Sequence, residues 1–137
     1  MIRPIVHDPM FLMRVSVPAT AEDRQAAIDL TDTLKAHIGS CVGLAANMIG
    51  INKRIIVFLA GNQPVLMLNP KIIFSSDRTY ETEEGCLSLS GTRTVRRYER
   101  IEVEYEDINM KKHKNTYTGF TAQIIQHEID HCNGVLI

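Results

Sequence analysis

Apolar residues follow two rhythms along this chain. Between Thr20 and Ile38 they recur at helical spacing, with Ala27, Leu30, Leu34 and Ile38 on one face. Thr20 is placed to cap that helix, Asp23 stands where a capping box puts its acid, and Gly39 ends it. The middle of the chain reads instead as strands. "RIIVFLA" (54–60) is a short apolar run, followed by the turn-like "GNQP" and then by "VLMLNP" (65–70). "IEVEYED" (101–107) alternates, with Ile101, Val103 and Tyr105 on one side and Glu102, Glu104 and Glu106 on the other. That pattern predicts a strand with one wet face. "NMKKHKN" reads as a polar hairpin connection into "TYTGF". A last helix is predicted from about Thr121 to Cys132, closed by Asn133-Gly134. Together these elements predict an α+β domain: antiparallel β-sheets packed around a C-terminal helix, with a further helix near the N-terminus.

Composition narrows the classes. The 137 residues suit one domain, 1–137, and the 45% apolar and 23% charged shares are those of a globular protein. A net charge of −1 gives no electrostatic case for binding nucleic acid or an acidic membrane. No apolar run nears the roughly 18 residues of a membrane span. The start, "MIRPIVHDP", lacks the layout of a secretory leader, so a cytoplasmic location is expected. Cys41, Cys86 and Cys132 are an odd set, better read as core, ligand or nucleophile than as a disulfide framework.

The chemistry concentrates in "QHEIDHCNG" (126–134). On a helix, His127 and His131 lie on one face and can aim both imidazoles at one point. Glu128 is turned by about 100° from His127, within reach of a water activated there. Two nitrogen ligands and a proton-shuttling carboxylate make the pattern of metal-dependent hydrolysis. The alternative is a solvated helix face that happens to carry two histidines. A catalytic metal needs a third protein ligand and an open position. The candidates are Cys86, Cys132, His113, His7 and several acids. Cys132 points away from His131 along the helix, and Cys86 on its own reads as a small buried hydrophobe.

"EGCLS" (84–88) and "QHEIDHCNG", preceded by "CVGLAANM" (41–48), resemble the three ordered signature motifs of the peptide deformylases, the first of which has the form GxGLAAxQ. Similarity continues through "GINKRIIVF", "LNP", "TRTVRRYERIEVEYED" and "GFTAQIIQHE", so it spans nearly the whole chain. The resemblance implies that Cys86, His127 and His131 bind a divalent metal, with Fe(II) the physiological ion and zinc, nickel or cobalt accepted. It implies Glu128 as general acid/base and the Leu87 backbone N–H as a donor to the developing oxyanion. Gly43 and Leu44 would border the peptide cleft, and Arg93 would lie near its rim. The implied reaction removes the formyl group from formyl-methionine at the N-terminus of nascent polypeptides, possible partners at the ribosome exit, and releases formate.

The first motif departs from the family pattern at Cys41, Asn47 and Met48. Met48 stands where the family's glutamine donates a hydrogen bond to the reacting carbonyl, and a thioether has no proton to donate. Either Asn47 supplies the amide from one residue earlier, or the site is slower or retuned. Cys41 is read as an inert small residue. The chain stops three residues after Gly134, where many family members continue, and is read as a compact variant.

Overall fold

The alternation of 101–106 puts Ile101 and Val103 in the core, both fully buried, because a strand with one wet face must bury the other. The computed structural model describes residues 1–137. Its elements are α1 (Pro9–Leu12), a 3₁₀ turn (Ala21–Asp23), α2 (Arg24–Ala36), β1 (Gly43–Ala45), a second 3₁₀ turn (Ala46–Ile49), β2 (Ile55–Ala60), β3 (Gln63–Ser75), β4 (Thr79–Glu84), β5 (Arg93–Tyr98), β6 (Arg100–Glu106), β7 (Lys112–Thr118) and α3 (Gly119–Cys132). One antiparallel sheet has the order β1-β2-β3-β6-β7, and β4 and β5 form a separate antiparallel hairpin. The α+β architecture is as the sequence pattern predicts.

Several boundaries differ from the expectation, each for a local reason. The capping box at Thr20 and Asp23 forms, but the first turn is 3₁₀ and α2 ends at Ala36. Ile38 therefore leaves the apolar stripe and stands exposed, while Ala27, Leu30 and Leu34 are fully buried. The strand expected at 65–70 runs on to Ser75, because it pairs with β2 over its first half and with β6 over its second. Register shifts mark the change of partner, and Asn69 adopts φ 53° there. Its side-chain amide then pairs with the backbone of Ala19, accepting at 2.7 Å and donating at 2.9 Å. The polar "KHKN" (112–115) is strand rather than connection, since β7 begins at Lys112; the turn is shorter and centres on Asp107, whose carboxylate accepts from the N–H groups of Asn109 and Lys111.

α3 packs across β1 and β2 and reaches β5 of the hairpin. Gln126 makes that last junction. Its amide accepts from the Tyr98 N–H at 2.9 Å and donates to the Tyr98 carbonyl at 3.0 Å, as a neighbouring strand would. At the far end of α3, Gly134 has φ 76°, and a Cβ there would stand 2.4 Å from the Met13 carbonyl oxygen. Only glycine lets the N-terminal segment pass so close.

α2 holds a fully buried carboxylate, Asp29. Hydrogen bonds from the Met1 ammonium and Gln25, aided by Arg3, bring its pKa down to about 2 against an opposing burial effect. A lowered carboxyl stabilises the fold above its unfolded value, near 4, and that contribution is lost as pH falls towards 2. Thermal melts of Asp29→Asn are accordingly expected to lose less Tm than wild type between about pH 5 and pH 2.5; an equal loss would show that Asp29 carries none of the acid sensitivity.

Candidate active site

β1, the loop after β4 and the middle of α3 face one another across a cavity of about 660 Å³. Cys86 and Leu87 line it from the loop, Gly43 from β1, and Ile124, His127 and Glu128 from α3. His127, Glu128 and His131 form the group whose ligand atoms all lie within 4.8 Å of one another, and all three are buried. The two imidazoles stand edge to face, with their Nε2 atoms 3.0 Å apart. Both nitrogens therefore converge on one small volume, as four-residue spacing on a helix requires.

A carboxylate that sequence reasoning left without a role orients this pair. His127 Nδ1 donates to Glu84 Oε1 at 2.7 Å, which turns Nε2 towards the cavity. Glu84 is in turn held by Arg97 in a two-point contact, Nη2 to Oε1 at 2.6 Å and Nε to Oε2 at 3.0 Å. Arg97 Nη1 continues to Asp130 at 2.6 Å. Burial alone would raise the Glu84 carboxyl, but the His127 and Arg97 hydrogen bonds bring it down to about 2. Burial works to lower His127, but Cys86 and the same carboxylate lift it. His131 moves the other way, since burial and the neighbouring His127 charge both disfavour its cation. One ring thus keeps a proton on Nδ1 and the other is held neutral.

Glu128 is in a different setting. Burial pushes its carboxyl up to about 7, opposed in part by His127. Its Oε1 has no hydrogen-bond partner in the protein, and neither has His131 Nδ1. Buried polar atoms of this kind call for a ligand or ordered water. Two imidazole nitrogens, a thiol beside one of them and an unpaired carboxylate suit a divalent transition metal with one open position. A carboxyl near neutrality is also matched to proton transfer in either direction.

The remaining sequence candidates separate clearly. His113 bonds Asp107 at 2.8 Å and stacks on Tyr105, away from the cavity. Cys132 is buried in the core cluster. His7 goes to the Ser88 carbonyl at 3.0 Å, so it fastens the loop that carries Cys86. Cys41 lines the cavity, with burial and the Glu128 charge pushing its thiol up to about 11, which leaves it neutral at physiological pH. Leu44 is fully buried in β1 and Arg93 opens β5 opposite Glu84; neither is among the cavity-lining residues. Met48 is also buried, with its sulfur 3.5 Å from the Ala45 N–H. Asn47 does not take over the amide role. Its Nδ2 donates to the His131 carbonyl at 2.9 Å, tying the first motif to the helix.

Residues 2–137 match the family model described as polypeptide deformylase. The chain belongs to the peptide deformylase family. It is 56% identical to a peptide deformylase of Clostridium beijerinckii, across the full length of both. The crystal structure of peptide deformylase from Thermotoga maritima superposes with a TM-score of 0.90 at 32% identity, covering 99% of this chain and 95% of that one. A Met-Ala-Ser-bound class I type b peptide deformylase from Acinetobacter baumannii superposes with a TM-score of 0.89 at 29% identity, over 99% and 97% of the two chains. The chain is a metal-dependent amide hydrolase of N-terminal deformylation.

Two substitutions probe this geometry. In Glu84→Ala, buried Arg97 loses its two-point partner; chemical denaturation should show a loss on the order of 3–5 kcal/mol, and metal titration an affinity ~10–100-fold weaker. A full metal complement at wild-type affinity would remove Glu84 from the site. Gly43→Ala places a Cβ 2.9 Å from Glu128 Oε2 and 3.0 Å from Ile124 Cγ2. Displacing Glu128 should lower kcat by roughly 10²-fold while bound metal, read by elemental analysis, stays at the wild-type level.

Proposed function

We propose that Cys86, His127 and His131 hold Fe(II) and that Glu128 is the general acid/base of deformylation. The observation that carries this reading is the buried Glu128, with its unpaired oxygen and near-neutral carboxyl, beside two convergent imidazoles. A thiolate and two imidazoles make a mixed soft and borderline donor set suited to Fe(II), zinc, nickel or cobalt. When bound, the ion supplies Lewis acidity and makes a water nucleophilic near neutral pH.

The chain's own groups do the rest. Glu128 takes the proton from the attacking water and returns it to the leaving nitrogen, so that one carboxyl serves in turn as base and acid. The formyl carbon–nitrogen bond breaks, and formate and a free amine leave. The Leu87 N–H, on the cavity wall, is the donor to the oxygen as charge develops. Gly43 keeps β1 low enough for a peptide to lie beside Glu128. Nascent formyl-methionyl chains, met in the cytoplasm at the ribosome exit, are the substrates of this reading. No helix is long and apolar enough to cross a membrane.

Formate release from formyl-Met-Ala-Ser by protein prepared anaerobically with Fe(II) tests the reading. Turnover is expected, with loss of activity after aerobic preparation, since oxidation of Cys86 or Fe(II) dismantles the ligand set. Glu128→Ala should abolish release and keep the metal; loss of both would show that Glu128 is a ligand. Met48→Gln should change kcat only modestly, because the side chain at position 48 is folded onto Ala45 N–H. A gain near the ~10²–10³ of a restored oxyanion donor would show instead that this site works short of one.

A further inference from the structure

The face of α3 that carries His127 carries, one turn earlier, Gln123 and Ile124, and before them Phe120. All of these line the cavity. With the formyl group at Glu128, the first side chain of the substrate would lie along this face, since Phe120, Gln123 and Ile124 line the same cavity. Most of the wall there is apolar, as a methionine side chain requires: Phe120, Ile124 and Leu89. Gln123 interrupts it. Its Oε1 accepts from the Tyr80 hydroxyl at 3.1 Å, and its amide nitrogen has no partner within the protein. In this arrangement the N–H donors are the half left free. A purely apolar side chain gives those donors nothing, and a thioether accepts only weakly. A sulfoxide oxygen is a strong acceptor on the same skeleton.

We propose that Gln123 is a specificity-determining residue that lets this site deformylate chains beginning with formyl-methionine sulfoxide, by donating its free amide N–H to the sulfoxide oxygen. The inference rests on the assignment of the cavity as the deformylation site and adds a substrate class to it. Oxidised methionine is larger and more polar than methionine, and an all-apolar wall would leave its oxygen buried and unpaired. With Gln123 present the oxygen is paired instead. The chemistry of hydrolysis is unchanged: water adds to the formyl carbon, the carbon–nitrogen bond breaks, and the sulfoxide is carried through intact.

The test compares kcat/KM for formyl-Met-Ala-Ser and its norleucine and methionine-sulfoxide counterparts on the Fe(II) enzyme. Norleucine has the shape of methionine without an acceptor, so the sulfoxide-to-norleucine ratio isolates the hydrogen bond. That ratio should fall roughly three- to tenfold in Gln123→Met, which keeps the volume and removes the donor. It should fall in part in Tyr80→Phe, which frees the amide to turn and leaves α3 untouched. Should Gln123→Met fail to fold, the ratio in Tyr80→Phe decides. An unchanged ratio with brisk formyl-Met-Ala-Ser turnover overturns the role of Gln123 alone. Absence of turnover on every substrate by wild type overturns the site assignment beneath it.

Discussion

The buried carboxylate of Glu84 is the contact on which the site depends. It receives the Arg97 guanidinium on one side and the His127 imidazole on the other. An ion pair taken out of water is stabilising only when nearly every lone pair and proton is matched, and here each partner supplies part of the match. The consequence is geometric as much as energetic. With Nδ1 committed to Glu84, the His127 ring has one orientation and one free nitrogen, and that nitrogen faces His131. The same Arg97 continues to Asp130 on α3, so the hairpin and the helix are clamped where the two imidazole nitrogens meet. Histidine ligands are commonly steered by such outer partners.

Electrostatics then divides the labour among groups that look alike in the sequence. Glu84 and Glu128 are both buried glutamates within one site. Glu84, surrounded by cations and donors, is held ionised; Glu128, desolvated and with an unpaired oxygen, is poised near neutrality. The first suits a fixed orienting charge and the second a group that must exchange a proton. The two histidines diverge in the same manner, His127 upward through its carboxylate and His131 downward through burial.

Much of this was legible in the sequence, and the parts that were not share a cause. The alternation at 101–106 and the spacing of Ala27, Leu30 and Leu34 reported real faces, because those elements bury apolar side chains against the core. The hairpin of β4 and β5 escaped notice because "TYETEE" and "RTVRRY" have no apolar face to reveal; it docks through Gln126, Arg97 and Glu84 instead. Ile38 fitted the helical period yet lies beyond the helix end, where periodicity no longer binds it. Glu84 sits inside a quoted motif, but its role depends on Arg97 and His127, 13 and 43 residues away. No one-dimensional pattern carries that meeting. Asn47 stands one residue before Met48 in the first motif, but its amide is spent on the His131 carbonyl, a partner 84 residues away.

The N-terminal segment deserves its place among these determinants for a reason of time rather than of energy. Val6 N–H bonds the Met48 carbonyl, His7 bonds the Ser88 carbonyl, and Ser16 N–H bonds the Cys132 carbonyl. Each partner lies later in the chain than the group that meets it. As a ribosome delivers the polypeptide from its amino end, this segment emerges before any of its seats exist. The strap can close only after α3 has arrived, and contacts of such long range are slow to form. The tie from this segment to the third motif is therefore the last of the three to be fastened, and a chain still in synthesis carries the pieces of the site unassembled.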